Sequence, residues 1–352
     1  MKIRKVIMVA LATTMLVAKA STVHASSWRV NNDATKKAHF VDINAAMASE
    51  EVHDGDTLYL DPGCSITTTQ TVTKQVFIIG TGWSYEKDYG QVTFEKDIFL
   101  KSDNCFVSGI VFNSTIWIEA KHVTIQSSKT LYIKAADDTN LESNNATIRN
   151  CIITQQIDGN RGTNSLYWAV ENCIIFGSFN GWTNNHDGVI YNLENAIIRN
   201  NVIYNTLGGS FYNKNLSKVI NSTIIDNIVV RNDLTHSKLL SECDNSVITN
   251  NVLSCPEDAY SNYPNNKFLN TQDYSSLFVM EGTEEEQFRL TADSPAKGYA
   301  TDGGDCGIFG GAYPYVAGGL PYGHPYYTRA VVGSTAHDGK LNVSLKVKMQ
   351  DE

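Results

Sequence analysis

The side chains best suited to moving a proton fall in three polar stretches near the middle of the chain, residues 155–168, 177–187 and 206–214. His186 and Asp187 put an imidazole beside a carboxylate and form the best acid–base pair. Arg161 can neutralise a substrate carboxylate, and Tyr191, just past the second stretch, can take or give a proton. Such a set suits removal of a proton next to a carboxylate. Aromatic rings accompany it at Tyr167, Trp168, Trp182 and Tyr212. These rings either face a ligand or pack beneath their own loops. No Cys-x-x-Cys occurs, and Asp137-Asp138 and Glu284-Glu285-Glu286 read as solvated turns, not as a calcium loop. No cofactor is expected, and calcium has no motif to hold it.

A weak repeat supplies the scaffold for these stretches. Ala146-Thr-Ile-Arg-Asn-Cys-Ile-Ile153 is echoed by Ala169–Ile175, Ile197–Ile203, Lys218–Ile225 and Val247–Leu253. Each copy runs from β-branched residues to an Asn, a small or polar residue, then an apolar pair. The Asn positions are 150, 172, 200, 221 and 250, at intervals of 22, 28, 21 and 29 residues. Three short strands with turns need about that length. Propeller blades need about 40 residues, and the repeat lacks the fixed leucines of leucine-rich repeats. The reading is therefore all-β: a solenoid of short parallel strands, bent at Asn because Asn and Gly tolerate left-handed backbone angles. Stacked coils lie about 4.8 Å apart. On this reading Asn150, Asn172, Asn200, Asn221 and Asn250 form one inward column, each amide bonding to the carbonyl above. Arg149, Glu171 and Arg199, one residue earlier, face outward as a surface charge ladder, with a carboxylate held between two guanidiniums as the chemical alternative.

With its opening Trp28-Arg-Val-Asn-Asn32, Gly55-Asp-Thr-Leu-Tyr-Leu-Asp-Pro-Gly63 and closing Phe288-Arg-Leu-Thr-Ala-Asp-Ser-Pro-Ala-Lys-Gly298 and Asp305-Cys-Gly-Ile-Phe-Gly310, the chain resembles the right-handed parallel β-helix proteins, the pectin-lyase-like exported proteins of bacteria. The resemblance implies a solenoid over 26–312, with Asp42 capping a short helix whose Ile43, Ala46 and Met47 cover the open first coil. It also implies that the variable loops wall a groove for a polysaccharide. Tyr167, Trp168, Trp182 and Tyr212 would then stack on sugar rings. His186, Asp187, Arg161 and Tyr191 would act if the protein is a lyase, with a hydrolase less favoured. The family's lyase, polygalacturonase and methylesterase motifs are missing, so three readings stay open: a glycan-contacting β-helix protein without assigned activity, a polysaccharide lyase, and a rigid surface spacer. Residues 313–352, with the alternating Leu341–Lys348, are expected to pack back on the solenoid or to form a small β appendage.

Residues 1–25 read as a secretory leader, with basic Lys2, Arg4 and Lys5, an apolar run, and Val23-His24-Ala25 at the cleavage site. The destination is export: periplasm, cell surface or medium. The leader holds four Lys/Arg and no Asp/Glu, leaving 24 basic against 37 acidic residues, a net of −13. Such a balance disfavours nucleic acid and anionic membrane as partners. Later stretches are too short of apolar residues for membrane insertion. A monomer is expected. Seven cysteines are expected to be mostly small buried fillers, Cys151 and Cys173 stacked as free thiols.

Overall fold

The computed structural model describes residues 25–83, 90–136, 143–159, 165–177, 188–205, 214–231, 239–263, 265–320, 326–332, 339–340 and 343–348. The expected leader lies outside the described residues, except for Ala25. The chain winds as a parallel β-helix. One side is a ten-stranded sheet from Ser27–Val30 to Val247–Thr249, and a sixteen-stranded sheet forms the other two sides. Most strands have two to five residues and are rich in Ile and Val, whose stiff branched side chains fit a pleated, half-buried surface. Side chains alternate inward and outward. Leu58, Ile78, Val107, Ile125, Ile148, Val170, Ile198, Ile224 and Ile248 follow one another in register, and all are buried in a single core. Each such side chain contributes about 1.5–3 kcal/mol. The open first coil is covered by the helix Ile43–Ala48, whose cap Asp42 accepts a hydrogen bond from the Ala45 N–H at 2.8 Å. Its Ile43 and Ala46 are fully buried and Met47 packs against the core.

Two bends per coil use left-handed residues. One follows each central strand of the ten-stranded sheet, at Asn150, Asn172, Asn200, Asp226 and Asn250, with φ of 51 to 61°. The other lies two residues before the strand, at Asn145, Tyr167, Asn195, Asn221 and Asn245, with φ of 52 to 63°. Asn221 thus belongs to the second corner, and Asp226 fills its expected place in the first. Both corners favour Asn followed by a small residue, so the text alone confuses them. The structure also corrects the expected bonding. The amides of Asn150, Asn172, Asn200 and Asn250 do not bond to one another. The internal column lies one residue further on. Asn201 Nδ2 donates to Asn227 Oδ1, Asn227 Nδ2 to Asn251 Oδ1, and Asn251 Nδ2 to Asn266 Oδ1, at 2.9 to 3.0 Å. Cys151 and Cys173 occupy this column in earlier coils. All seven cysteines are buried free thiols.

Winding ends at Lys267–Phe268, and residues 269–320 return along the outside as a strap. The strap covers an outward apolar stripe, Val111, Ile152, Ile174, Val202, Ile228 and Val252, with side chains that include Leu277, Phe278, Phe288 and Ile308. The first-corner residues grip it as a rail. Asn250 Nδ2 donates to Tyr299 O at 3.1 Å, and Asp226 accepts from Thr301 N and Oγ1 at 2.7 Å. Asn172 Nδ2 reaches Ile308 O and Gly310 O at 2.8 Å, and Asn150 Nδ2 reaches Pro314 O at 3.3 Å. The strap ends at Trp83, which donates from its backbone to Gly318 O. Glu285 is no solvated turn. It is 3% exposed and accepts from Trp83 Nε1 at 2.7 Å, Tyr315 Oη at 2.9 Å and Gly318 N at 3.1 Å. Strands Tyr326–Val332 and Val343–Lys348 then pair antiparallel.

Candidate functional site

The third side of the coil, formed by the later strands of each turn, carries the richest outward chemistry. Its inward residues Ile98, Leu100, Ile116, Ile118, Ile133 and Ala135 sit in the core, which turns every intervening side chain out. Register then lines up Phe99, Trp117, Lys134, Asp158, Tyr191 and Ser217 on six consecutive coils. Phe99 and Trp117 stack with ring centroids 5.9 Å apart and planes only 4° from parallel. Trp117 is held in place because its Nε1 donates to Asp97 Oδ2 at 3.0 Å. The Lys134 ammonium lies 5.6 Å from the Trp117 ring centroid and 4.8 Å from that of Tyr132. Burial pushes the Tyr132 hydroxyl above the usual phenol range. Phe99, Trp117, Tyr132 and Lys134 are all half-buried, so each keeps part of its surface in solvent.

Further along the strip the chemistry becomes acidic and closed. Asp158 and Tyr191, on neighbouring strands, are 7% and 4% exposed. Tyr191 Oη donates to Asp158 Oδ2 at 2.8 Å, and Asn192 Nδ2 donates to Asp158 Oδ1 at 3.1 Å. The backbone of Asn192 is left-handed (φ 57°), as is Lys218 at the same register in the next coil. The strand therefore kinks there.

The expected site residues divide into three groups. His186, Asp187, Arg161, Trp182 and Tyr212 lie outside the described residues. Tyr191 is described, and its described partners are Asp158 and, through that carboxylate, Asn192. Tyr167 and Trp168 part company. Tyr167 is 58% exposed at the second corner, whereas Trp168 is fully buried and donates from Nε1 to Ser143 O. Trp168 is a core residue and offers no face to a sugar. Sequence reasoning missed Phe99, Trp117, Tyr132 and Lys134. Their signal was an aromatic or basic residue between two apolar ones, in Ile98-Phe-Leu100, Ile116-Trp-Ile118 and Ile133-Lys-Ala135, recurring every 17 or 18 residues.

On the ten-stranded side, Arg149, Glu171 and Arg199 are neighbours in register as expected, but the carboxylate is not on the surface. Glu171 is 3% exposed. It accepts from Arg149 Nε and Nη2 at 3.1 and 3.0 Å on one oxygen, and from Arg199 Nε at 2.7 Å on the other. The Arg149 guanidinium lies 3.5 Å from the Tyr313 ring centroid, on the strap. The group is a clamp whose carboxylate oxygens are both occupied. Among the described residues, no three His, Cys, Asp or Glu converge to hold a metal ion.

Fold and surface together define a parallel β-helix protein with a stacked aromatic strip and a lysine along one side. A scan against protein-family models finds no match, and neither does a search of the curated proteins.

Proposed function

We propose that this is an exported, pectin-lyase-like β-helix protein that holds a polysaccharide along its third side. The observation that carries this reading is the Phe99–Trp117 stack with Lys134 laid beside it. Near-parallel rings stacked one coil apart form an aromatic ledge on which sugar rings can pack. The ammonium supplies a donor for hydroxyl or carboxylate oxygens. A polymer parallel to the coil axis would then run from this ledge toward Asp158 and Tyr191. Affinity electrophoresis through gels containing neutral and uronate polysaccharides tests the reading. Wild type should be retarded by at least one polymer, and Trp117→Ala should lose at least tenfold in affinity for a uronate polymer, whose carboxylates Lys134 can meet. Unaltered mobility of wild type in every gel would refute it.

A second reading, a polysaccharide lyase, draws support from the hydrogen bond of Tyr191 to Asp158, which engages the phenol proton with a buried carboxylate. It predicts ultraviolet-absorbing unsaturated products from a uronate polymer and their loss in Tyr191→Phe. Retardation without product, with or without calcium, leaves binding alone.

A further inference from the structure

We propose that the ten-stranded side carries a second strip, and that it takes a neutral linear polysaccharide lying along the coil axis. The parallel register carries one outward column through all ten strands, from Ser27 and Thr57 by way of Phe77, Phe106 and Ile197 to Val247. No member is charged, although the chain has a net charge of −9. Phe77, Ile197 and Val247 are 38 to 58% exposed, and the remaining members are half-buried or exposed. Two residues upstream runs the second-corner column, equally free of Asp, Glu, Lys and Arg. There Asn145, Asn195, Asn221 and Asn245 share the left-handed backbone with Tyr167. Asn pays little for that conformation, whereas a ring-bearing residue is disfavoured in it. Tyr167 keeps it at φ 63° while 58% exposed, so packing does not account for the choice. Tyr167 thus sets an exposed ring, available to a sugar face, at a corner mostly filled by Asn.

The shape selects the occupant. Ten strands span roughly 43 Å, and the two columns are about 10 Å across. That gives on the order of 450 Å², about half of what each partner buries in a stable protein dimer. A strip this long and narrow suits one extended chain better than a second globular copy. The two columns carry no charge of their own, so they would hold a polymer by hydrogen bonds and apolar packing. Hydroxyls and amides (Thr147, Asn145, Asn195) alternate with apolar faces (Tyr167, Phe106, Ile197), a mixture that meets both the hydroxyls and the ring faces of a sugar. The proposal rests on the reading that the protein holds glycans, but at separate residues on another side. A rigid prism with two such sides would bridge two polymers.

The test is affinity electrophoresis of the full chain against xylan, galactomannan and β-1,3-glucan, with polygalacturonate as the acidic comparison, alongside light scattering for mass. Tyr167→Asn and Ile197→Asp should each weaken binding to a neutral polymer at least tenfold and leave polygalacturonate retardation unchanged. Tyr167→Asn should also raise or preserve the melting temperature, which rules out unfolding as the cause. Trp117→Ala should leave neutral-polymer binding on this side intact. Neutral-polymer binding indifferent to both strip variants overturns the proposal without touching the third-side reading, and so does absence of any neutral-polymer binding. A concentration-dependent dimer that Ile197→Asp dissociates overturns it in favour of a second copy.

Discussion

Replacing Asn227 with Ala tests the internal amide column most directly. Asn227 is fully buried, and its side chain serves several groups at once. Its Oδ1 accepts from the Asn201 N–H at 3.0 Å and from Asn201 Nδ2 at 2.9 Å. Its Nδ2 contacts Ile198 O and Ile225 O, each at 2.8 Å, besides Asn251 Oδ1. Alanine would leave one backbone N–H and two backbone carbonyls inside the coil without these partners. Each such group costs about 1–3 kcal/mol, and partial relaxation brings the expected total to about 3–5 kcal/mol. Asn221→Ala is the control. Asn221 is exposed and its side chain donates to Glu194 Oε1 at 3.0 Å, so the loss should be about 1 kcal/mol, mostly from its left-handed backbone. Urea unfolding followed by circular dichroism reads both. The Asn227 variant should unfold at a midpoint lower by about 1 M or more, with little change in slope. Equal midpoints for the two variants would refute the assignment of buried column and exposed corner.

Glu171→Ala should cost about 1–3 kcal/mol in the same assay, because it strands two guanidiniums that now share one buried carboxylate. An effect under half a kcal/mol would return the trio to the status of a surface ladder. Trp168→Ala should lose about 3–5 kcal/mol by emptying a large core site, whereas Tyr167→Ala should change stability by about 1 kcal/mol or less. A reversal of that order would contradict their opposite facing. Burial holds the Cys243 and Cys255 thiols to about 11 and Cys306 to about 12. The unfolded chain releases these protons near the ordinary thiol value of about 8.5. Their contribution to stability is therefore fully present below about pH 8.5 and is lost as pH rises toward the folded values. Melting under reducing conditions should show a decline above about pH 8.5 that is shallower in Cys306→Ala. An unchanged alkaline slope in that variant would count against a buried, protonated thiol at 306.

Much of the scaffold was legible because its causes are local and repeated. Short runs of Ile and Val, Asn at the bends, and a period of 21–29 residues require parallel strands stacked in coils. The cap at Asp42 was equally local. The misplacement of Asn221 shows where this ends. Two corners of each coil demand the same left-handed backbone, so their residues look alike, and only pairing of Glu194 with Ile220 assigns Asn221 to its corner. Trp117 and Lys134 were overlooked for a related reason. Seventeen residues apart in the chain, they become neighbours only through register.

Residue type and period were enough to specify the wound β architecture, its capped opening and its acidic, uncharged-amide-rich character. The packing of distant segments settled which amides bond to each other and which instead grip the returning strap. It also decided that Trp168 fills the core, that Glu171 and Glu285 are buried under their donors, and which rings share a face. Each of those outcomes depends on segments that meet across one or more turns of the coil, as Asn172 meets Ile308 from 136 residues away, and no local pattern carries such a contact.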